Sequence, residues 1–363
     1  MKKLTLGDVC KKESSNIAQK DIMECEGEYP IYGAGGFIKN VNFYQQELPY
    51  IAVVKDGAGI GRTMLLPAYS SVIGTMQYIL PIDYESIDLQ YLYYAIVHMD
   101  LGKYFSGATI PHIYFKDYKK EKLFLPEICE QQRISLLLKQ VDLMIEKQNN
   151  QVELVDKLVQ SRFVELFVGK NYDIVKAGSI IKEMRNGVSP STSGGHFEKV
   201  LTLSAITQGK FDDKAWKEGF FTDCPSTEKR ITEDDFYICR GNGNKSLVGM
   251  GVYALENRPD LVFPDTVIAA HIDTERMVLP YLWIMWQQPE VRKQLESGAR
   301  TTNGTYKINQ KVISKIKIIC PPINEQEVFA DFIKQVDKSK SVIQKSLDEL
   351  EILKKSLMQK YFG

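Results

Sequence analysis

Pro126-Glu127-Ile128-Cys129-Glu130-Gln131 returns later in the chain as Pro321-Pro322-Ile323-Asn324-Glu325-Gln326. Leu138-Lys139-Gln140-Val141-Asp142 returns as Ile333-Lys334-Gln335-Val336-Asp337, at the same offset of 195 residues (126 to 321, 138 to 333). The offset slips by one at the far ends, where Phe167-Val168-Gly169 answers to Tyr361-Phe362-Gly363. Solenoid repeats have periods of roughly 20–50 residues, so this is not one. A whole domain-plus-helix unit occurs twice, an arrangement that suits a pseudo-dimer reading two similar things.

The repeated stretches carry a helical pattern. Ile134, Leu138, Val141, Ile145, Val152, Val155 and Val159 keep the four-then-three spacing of a coiled-coil seam, interrupted by Gln148. The second copy supplies Phe329, Ile333, Val336, Ile343, Leu347, Leu350 and Leu357, interrupted by Lys340 and Lys354. Neither stretch has an internal Pro or Gly; Pro126 and Pro321-Pro322 precede them, and Gly169 and Gly363 follow. The pattern predicts two helices of roughly 38 residues, each about 57 Å long. Equal length and matching register predict that they pair antiparallel within the chain. The expected fold is α+β: two mixed α/β units joined by two long helices in an antiparallel coiled coil, with pseudo-two-fold symmetry. Four segments follow: a first globular unit at 1–125, a central helical spacer at 126–169, a second globular unit at 170–319 and a second helical spacer at 320–363.

The globular units repeat more loosely. Tyr50 to Val54 reads as a buried strand, followed by the turn Lys55-Asp56-Gly57-Ala58-Gly59-Ile60-Gly61-Arg62 and a strand from Thr63 to Leu66. Phe236 to Cys239, Arg240-Gly241-Asn242-Gly243-Asn244-Lys245 and a strand from Val248 to Tyr253 form the counterpart. Tyr91 to Tyr94 matches Tyr281 to Ile284, both expected in helices. The Gly57–Arg62 turn is no nucleotide loop: a P-loop would need Gly and Lys where Arg62 and Thr63 stand, and a dinucleotide loop would open a helix. Its repetition beside Lys55, Arg62, Arg240 and Lys245 points instead to phosphate or base contact. Asn242 and Asn244 lie in the second turn. Thr109 to Lys120 adds His112, Tyr114 and Lys116, and Arg300 to Lys307 adds Arg300 and Asn303, side chains of the types that reach base edges and phosphates. Tyr29 to Phe37 reads as another aromatic-glycine turn.

Ile319-Cys320-Pro321-Pro322-Ile323 lacks the Asn and the aromatic residue of an amino-methyltransferase motif, and no Ser/His/Asp or Cys/His signature is present. Cys10, Cys25, Cys129, Cys224, Cys239 and Cys320 are scattered without a CxxC pair, and the four histidines are isolated. We expect reduced thiols in the cytoplasm, with no metal and no cofactor. Met1 to Asp8 has no apolar core of a signal peptide, and no apolar run approaches the roughly 18 residues that span a bilayer, so no membrane is expected. The 46 basic and 46 acidic residues cancel. Net charge is therefore silent on nucleic acid, since only a docking surface must be positive.

The order of globular unit, long helix, globular unit, long helix resembles the specificity subunits of type I restriction–modification systems. Pro126 to Gln132 and Pro321 to Gln326 resemble that family's "lPPl-x-EQ" signature, with Glu127 in place of the second proline and an unusual Cys129. Arg185-Asn186-Gly187-Val188-Ser189-Pro190 with Leu201 to Ile206 is similar to the openings of its target recognition domains, and adds Arg185 to the DNA-contact candidates. Tyr29 to Gly33 and Lys55 to Gly59 look like that domain too. The resemblance implies a non-catalytic subunit whose two target recognition domains each read half of an asymmetric double-stranded DNA site. It also implies that two methyltransferase (M) subunits dock on the helices and that the restriction/translocase (R) subunits join through them. A self-sufficient DNA methyltransferase would need a cofactor-binding sheet and an intact amino-methyltransferase motif. A protein-binding scaffold would bind no nucleic acid in a salt-dependent way.

Overall fold

The structure, a computed structural model, describes residues 2–107, 111–191, 194–302 and 304–363. The chain divides into two compact units, Met1–Gln151 with Ile343–Gly363, and Val152–Val342. Each unit contains a mixed α/β head and parts of both long helices, Ile128–Phe167 and Ile323–Phe362. At 40 residues each, the helices are about 60 Å long.

The first head is built on an antiparallel sheet in the order Cys10–Ser14, Met76–Pro81, Tyr50–Val54, Thr63–Leu66. Tyr50–Val54 and Met76–Pro81 are buried along their whole length, because helix and loop cover one face and a second layer covers the other. That layer is the sheet Gly36–Val41, Tyr29–Gly33, Ser71–Val72. The second head repeats the plan with Ile181–Asn186, Val267–Ile272, Asp235–Cys239 and Gly251–Tyr253, and its second sheet is Trp216–Phe221, His196–Leu201, Arg258–Val262, Arg230–Ile231. The expected strand from Val248 is shorter, beginning at Gly251. A 3-10 turn occupies Lys245–Leu247, and Gly249 at φ +75° cannot continue a strand.

The repeated glutamine has a structural cause. Gln131 is buried; its Oε1 accepts from Asp88 N at 2.9 Å, and its Nε2 donates to Ser86 O at 3.0 Å and Pro126 O at 2.8 Å. Gln326 does the same in the second unit, accepting from Val278 N at 2.9 Å and donating to Arg276 O at 3.1 Å and Pro321 O at 2.8 Å. Asp88 and Val278 are the N-caps of the head helices Leu89–His98 and Leu279–Trp286. One amide thus ties each long helix to the start of its head helix. Tyr91 and Tyr281 add matching bonds to Phe124 O at 2.7 Å and Ile319 O at 3.0 Å. Those acceptors lie on Lys122–Leu125 and Lys317–Cys320, which pair antiparallel with Lys2–Thr5 and Asp173–Lys176.

The long helices pair antiparallel. In the first unit Arg133 meets Tyr361, Asp142 meets Lys354 and Gln148 meets Ser346, so each advance along one helix is matched by a retreat along the other. In the second unit Lys340 Nζ lies 2.6 Å from Asp156, and Phe163 and Phe167 stack edge-on to Phe329. The interruptions at Gln148, Lys340 and Lys354 are therefore polar pairs beside the seam. Ile134, Leu138, Val141, Ile333, Val336 and Leu347 are buried, and Ile145, Val152, Val155, Ile343 and Leu350 are half-buried. Met358, packed with Ile134, Leu138, Tyr91 and Tyr94, completes the first-unit cluster.

Candidate nucleic-acid interface

In the first head the glycine turn closes on itself: Val54 N donates to Arg62 O and Gly61 N to Val54 O, both at 2.9 Å. Gly57, Gly59 and Gly61 all have φ near +80° to +85°, and a Cβ on Gly61 would lie 2.3 Å from Gly102 N, so no larger residue fits there. Thr63 opens a strand, as expected of a hairpin and not of a phosphate loop. The turn is laced to the other candidate stretch, since Gly57 N donates to Pro111 O at 3.0 Å and Ile113 N to Lys55 O at 2.9 Å. His112 Nδ1 lies 2.7 Å from Asp56 Oδ1, and Lys55 Nζ lies 3.7 Å from Asp56 Oδ2. The half-exposed Tyr114 ring stacks beside His112, with Lys116 Nζ 5.2 Å from its centroid. Lys55, His112, Tyr114 and Lys116 therefore share one surface. Arg62 is held differently, donating from Nη1 to Ala34 O at 2.8 Å in the Tyr29–Phe37 turn.

The second head joins its two candidate stretches in one sheet, Gly241–Asn242, Thr305–Lys307, Arg300–Thr302. Asn242 is opposite Tyr306, and Arg300 opposite Lys307. Asn242 Oδ1 accepts from Asn244 N at 2.8 Å, and Asn244 Oδ1 accepts from Ser246 N at 3.0 Å, two successive Asx turns that fix the loop. The Asn242 amide donors remain uncommitted among the described residues. Arg240 donates from Nη1 to Asp265 O at 3.0 Å. Lys245 and Arg300 are exposed and have no ion pair among the described residues. Asn303 lies outside the described residues. Arg185 is held against Asp235, a fully buried carboxylate that His271 Nδ1 also approaches at 3.2 Å. That pairing makes Arg185 a structural cation of the sheet.

Lys12 and Lys119, which no motif in the sequence singles out, line a concavity of about 470 Å³ with Lys55 and Lys116. The only sequence signals were the paired lysines Lys11-Lys12 and Lys119-Lys120, too common to single out. Among the described residues no three His, Cys, Asp or Glu converge as metal ligands, and no helix is long and apolar enough to cross a membrane. The six cysteines are free thiols. Burial pushes Cys10 and Cys239 up to about 12, which makes them poor nucleophiles.

Residues 1–154 and 281–352, more than half of the chain, match the family described as type I restriction modification DNA specificity domain. The type I restriction enzyme MjaVIII specificity subunit of Methanocaldococcus jannaschii is 22% identical over 338 residues, 85% of this chain and 77% of that protein. The StySPI specificity subunit of Salmonella potsdam is 24% identical over 136 residues, 36% of this chain and 29% of that protein. A crystal structure of the type I restriction–modification system S subunit from M. genitalium aligns over 100% of this chain and 96% of its own, with a TM-score of 0.60 at 17% identity. A second solved chain, from work on complex assembly and conformational transition of the type I system, aligns over 99% of this chain and 97% of its own at TM-score 0.58 and 15% identity.

Proposed function

Since this chain belongs to the type I restriction modification DNA specificity domain family, whose specificity subunits are non-catalytic, we propose that its two heads read the two halves of one asymmetric DNA site. The observation that carries the reading is the duplicated frame with unlike loops. Both heads use the same sheet order and the same glutamine tie, yet one presents His112, Tyr114 and Lys116 and the other Asn242, Lys245 and Arg300. Asn donors and Arg forks discriminate base edges, while lysines and backbone amides position phosphates.

The paired helices act as the spacer between half-sites and as the dock for methyltransferase and restriction subunits. Supporting this, Leu136, Leu143 and Met144 in the first unit, and Leu154 and Leu158 in the second, are at least half exposed although they lie on paired helices. Exposed apolar side chains on these helices are what a docking partner would cover. A chain that reads DNA together with such subunits would act in the cytoplasm.

Exchanging residues 170–319 for the second head of another family member tests the reading. Sequencing methylated bases in a host carrying the hybrid should show one half of the site changed, with the other half and the spacing intact. Alteration of both halves would refute modular reading.

A further inference from the structure

We propose that the lysine-lined concavity of the first head holds a phosphate of the DNA backbone, with Lys12 and Lys119 as cations that place it. The inference rests on the DNA-reading function above. Its walls come from three separate places: Lys12 on the Cys10–Ser14 strand, Lys55 after Tyr50–Val54, and Lys116 and Lys119 on and just past the short helix Phe115–Tyr118. Four lysines line it with a single carboxylate, Asp56, which His112 and Lys55 already engage. Lys12, Lys116 and Lys119 have no carboxylate within ion-pair distance among the described residues. Like charges gathered around a hollow repel one another, and an anion between them relieves that repulsion.

The lining also includes Gln77, only 2% exposed, which donates from Nε2 to the Tyr118 hydroxyl at 2.6 Å. Its Oε1 has no protein partner among the described residues. Turned about its terminal bond, the same amide accepts from the Tyr118 hydroxyl and offers its NH2 to the concavity, a donor for a phosphate oxygen. A phosphate suits the site better than a base edge. Lysines are compact point charges without arginine's planar fork, which suits a phosphate, and Gln77 is buried too deeply for a base still stacked in a duplex.

The test uses the full chain with the methylation subunits of its own system and a mixed-sequence duplex of about 30 base pairs. Affinity is followed against salt, because each phosphate contact adds about 0.9 to the slope of log K against log salt. Lys12→Gln with Lys119→Gln should make the slope shallower by about 1 and leave the methylated sequence unchanged. Lys12→Arg with Lys119→Arg should keep the wild-type slope. Lys20→Gln, on an exposed turn away from the concavity, should match wild type. An unchanged slope in the glutamine pair, or a changed methylated sequence, would overturn the phosphate site while leaving the DNA-reading function standing. A wild-type assembly with no salt-dependent duplex binding would overturn both.

Discussion

Gln326 is fully buried, and deleting its amide removes hydrogen bonds from three backbone groups at once: Val278 N–H, Pro321 C=O and Arg276 C=O, the last keeping only the long Cys320 Sγ contact at 3.9 Å. Methionine at this position keeps the volume and removes the hydrogen bonding, so the cavity contribution is small. Each lost bond costs about 1 kcal/mol net, and more where a buried partner is left without water, so Gln326→Met should cost roughly 3–5 kcal/mol. The assay can be confined to one unit, because Trp216, Trp283 and Trp286 all lie in Val152–Val342 and are the chain's only tryptophans. With a urea dependence of about 2–3 kcal/mol per M, the tryptophan-fluorescence midpoint should fall by roughly 1–2 M. Gln131→Met should spare that transition and weaken the first unit, followed by circular dichroism. Gln326→Glu adds a pH signature. A carboxylate facing two carbonyl oxygens is disfavoured in the fold, which raises its folded pKa above the unfolded value of about 4.3. The resulting penalty is absent below that unfolded value and grows as pH rises through the folded one, so the variant should recover stability towards acid. A midpoint shift under about 0.4 M for Gln326→Met, equivalent to about 1 kcal/mol, would refute the tie as a source of stability.

Two further substitutions probe the helix pair and the second head. Val141→Asp places a charge in a seam position only 4% exposed and should cost several kcal/mol, read as a lower melting temperature; an unchanged melt would mean the seam does not pack there. Asp260 is held at about 2, chiefly by the Arg258 guanidinium and also by Lys199. Its contribution is present above the unfolded value of about 3.9 and is lost as pH falls through about 2. Asp260→Asn should therefore melt slightly below wild type at neutral pH and converge with it near pH 2; a gap that persists in acid would contradict this ion pair as its source.

The long helices were legible because a four-then-three apolar spacing over some forty residues has few other solutions. The pattern stopped short at the outer ends. Phe163 and Phe167 bury against Tyr281 and Phe329, and Met358 against Tyr91 and Tyr94, contacts made with the heads as much as with the partner helix. The Glu-Gln signature was legible as a repeat but not as a mechanism, since two of the three bonds of each of Gln131 and Gln326 reach residues more than forty positions away. The strand expected from Val248 starts late on local chemistry: the Asn244 side chain accepts from Ser246 N and caps the 3-10 turn Lys245–Leu247 just before it, and Gly249 at φ +75° then breaks the extended run until Gly251.

The candidate side chains were legible by type but not by commitment. Arg62, Arg185 and Arg240 read alike in the sequence, yet each is held by a group at least 25 positions distant: Ala34 O, Asp235 and Asp265 O. What remains free differs between heads because the turns are built differently on the same sheet. In the first, three left-handed glycines fold the loop onto itself, and Gly61 seats against Gly102. In the second, Gly241–Asn242 becomes a strand edge paired to Thr305–Lys307. The shared frame thus fixes where a reading element starts and leaves its backbone free to vary. It follows that a head can be exchanged cleanly only where the frame is joined, at the paired strands Asp173–Lys176 and Lys317–Cys320 and the Gln326 tie just beyond them. A junction placed inside the Arg300–Lys307 segment would split the sheet that carries Asn242 and should lose reading of the second half-site altogether.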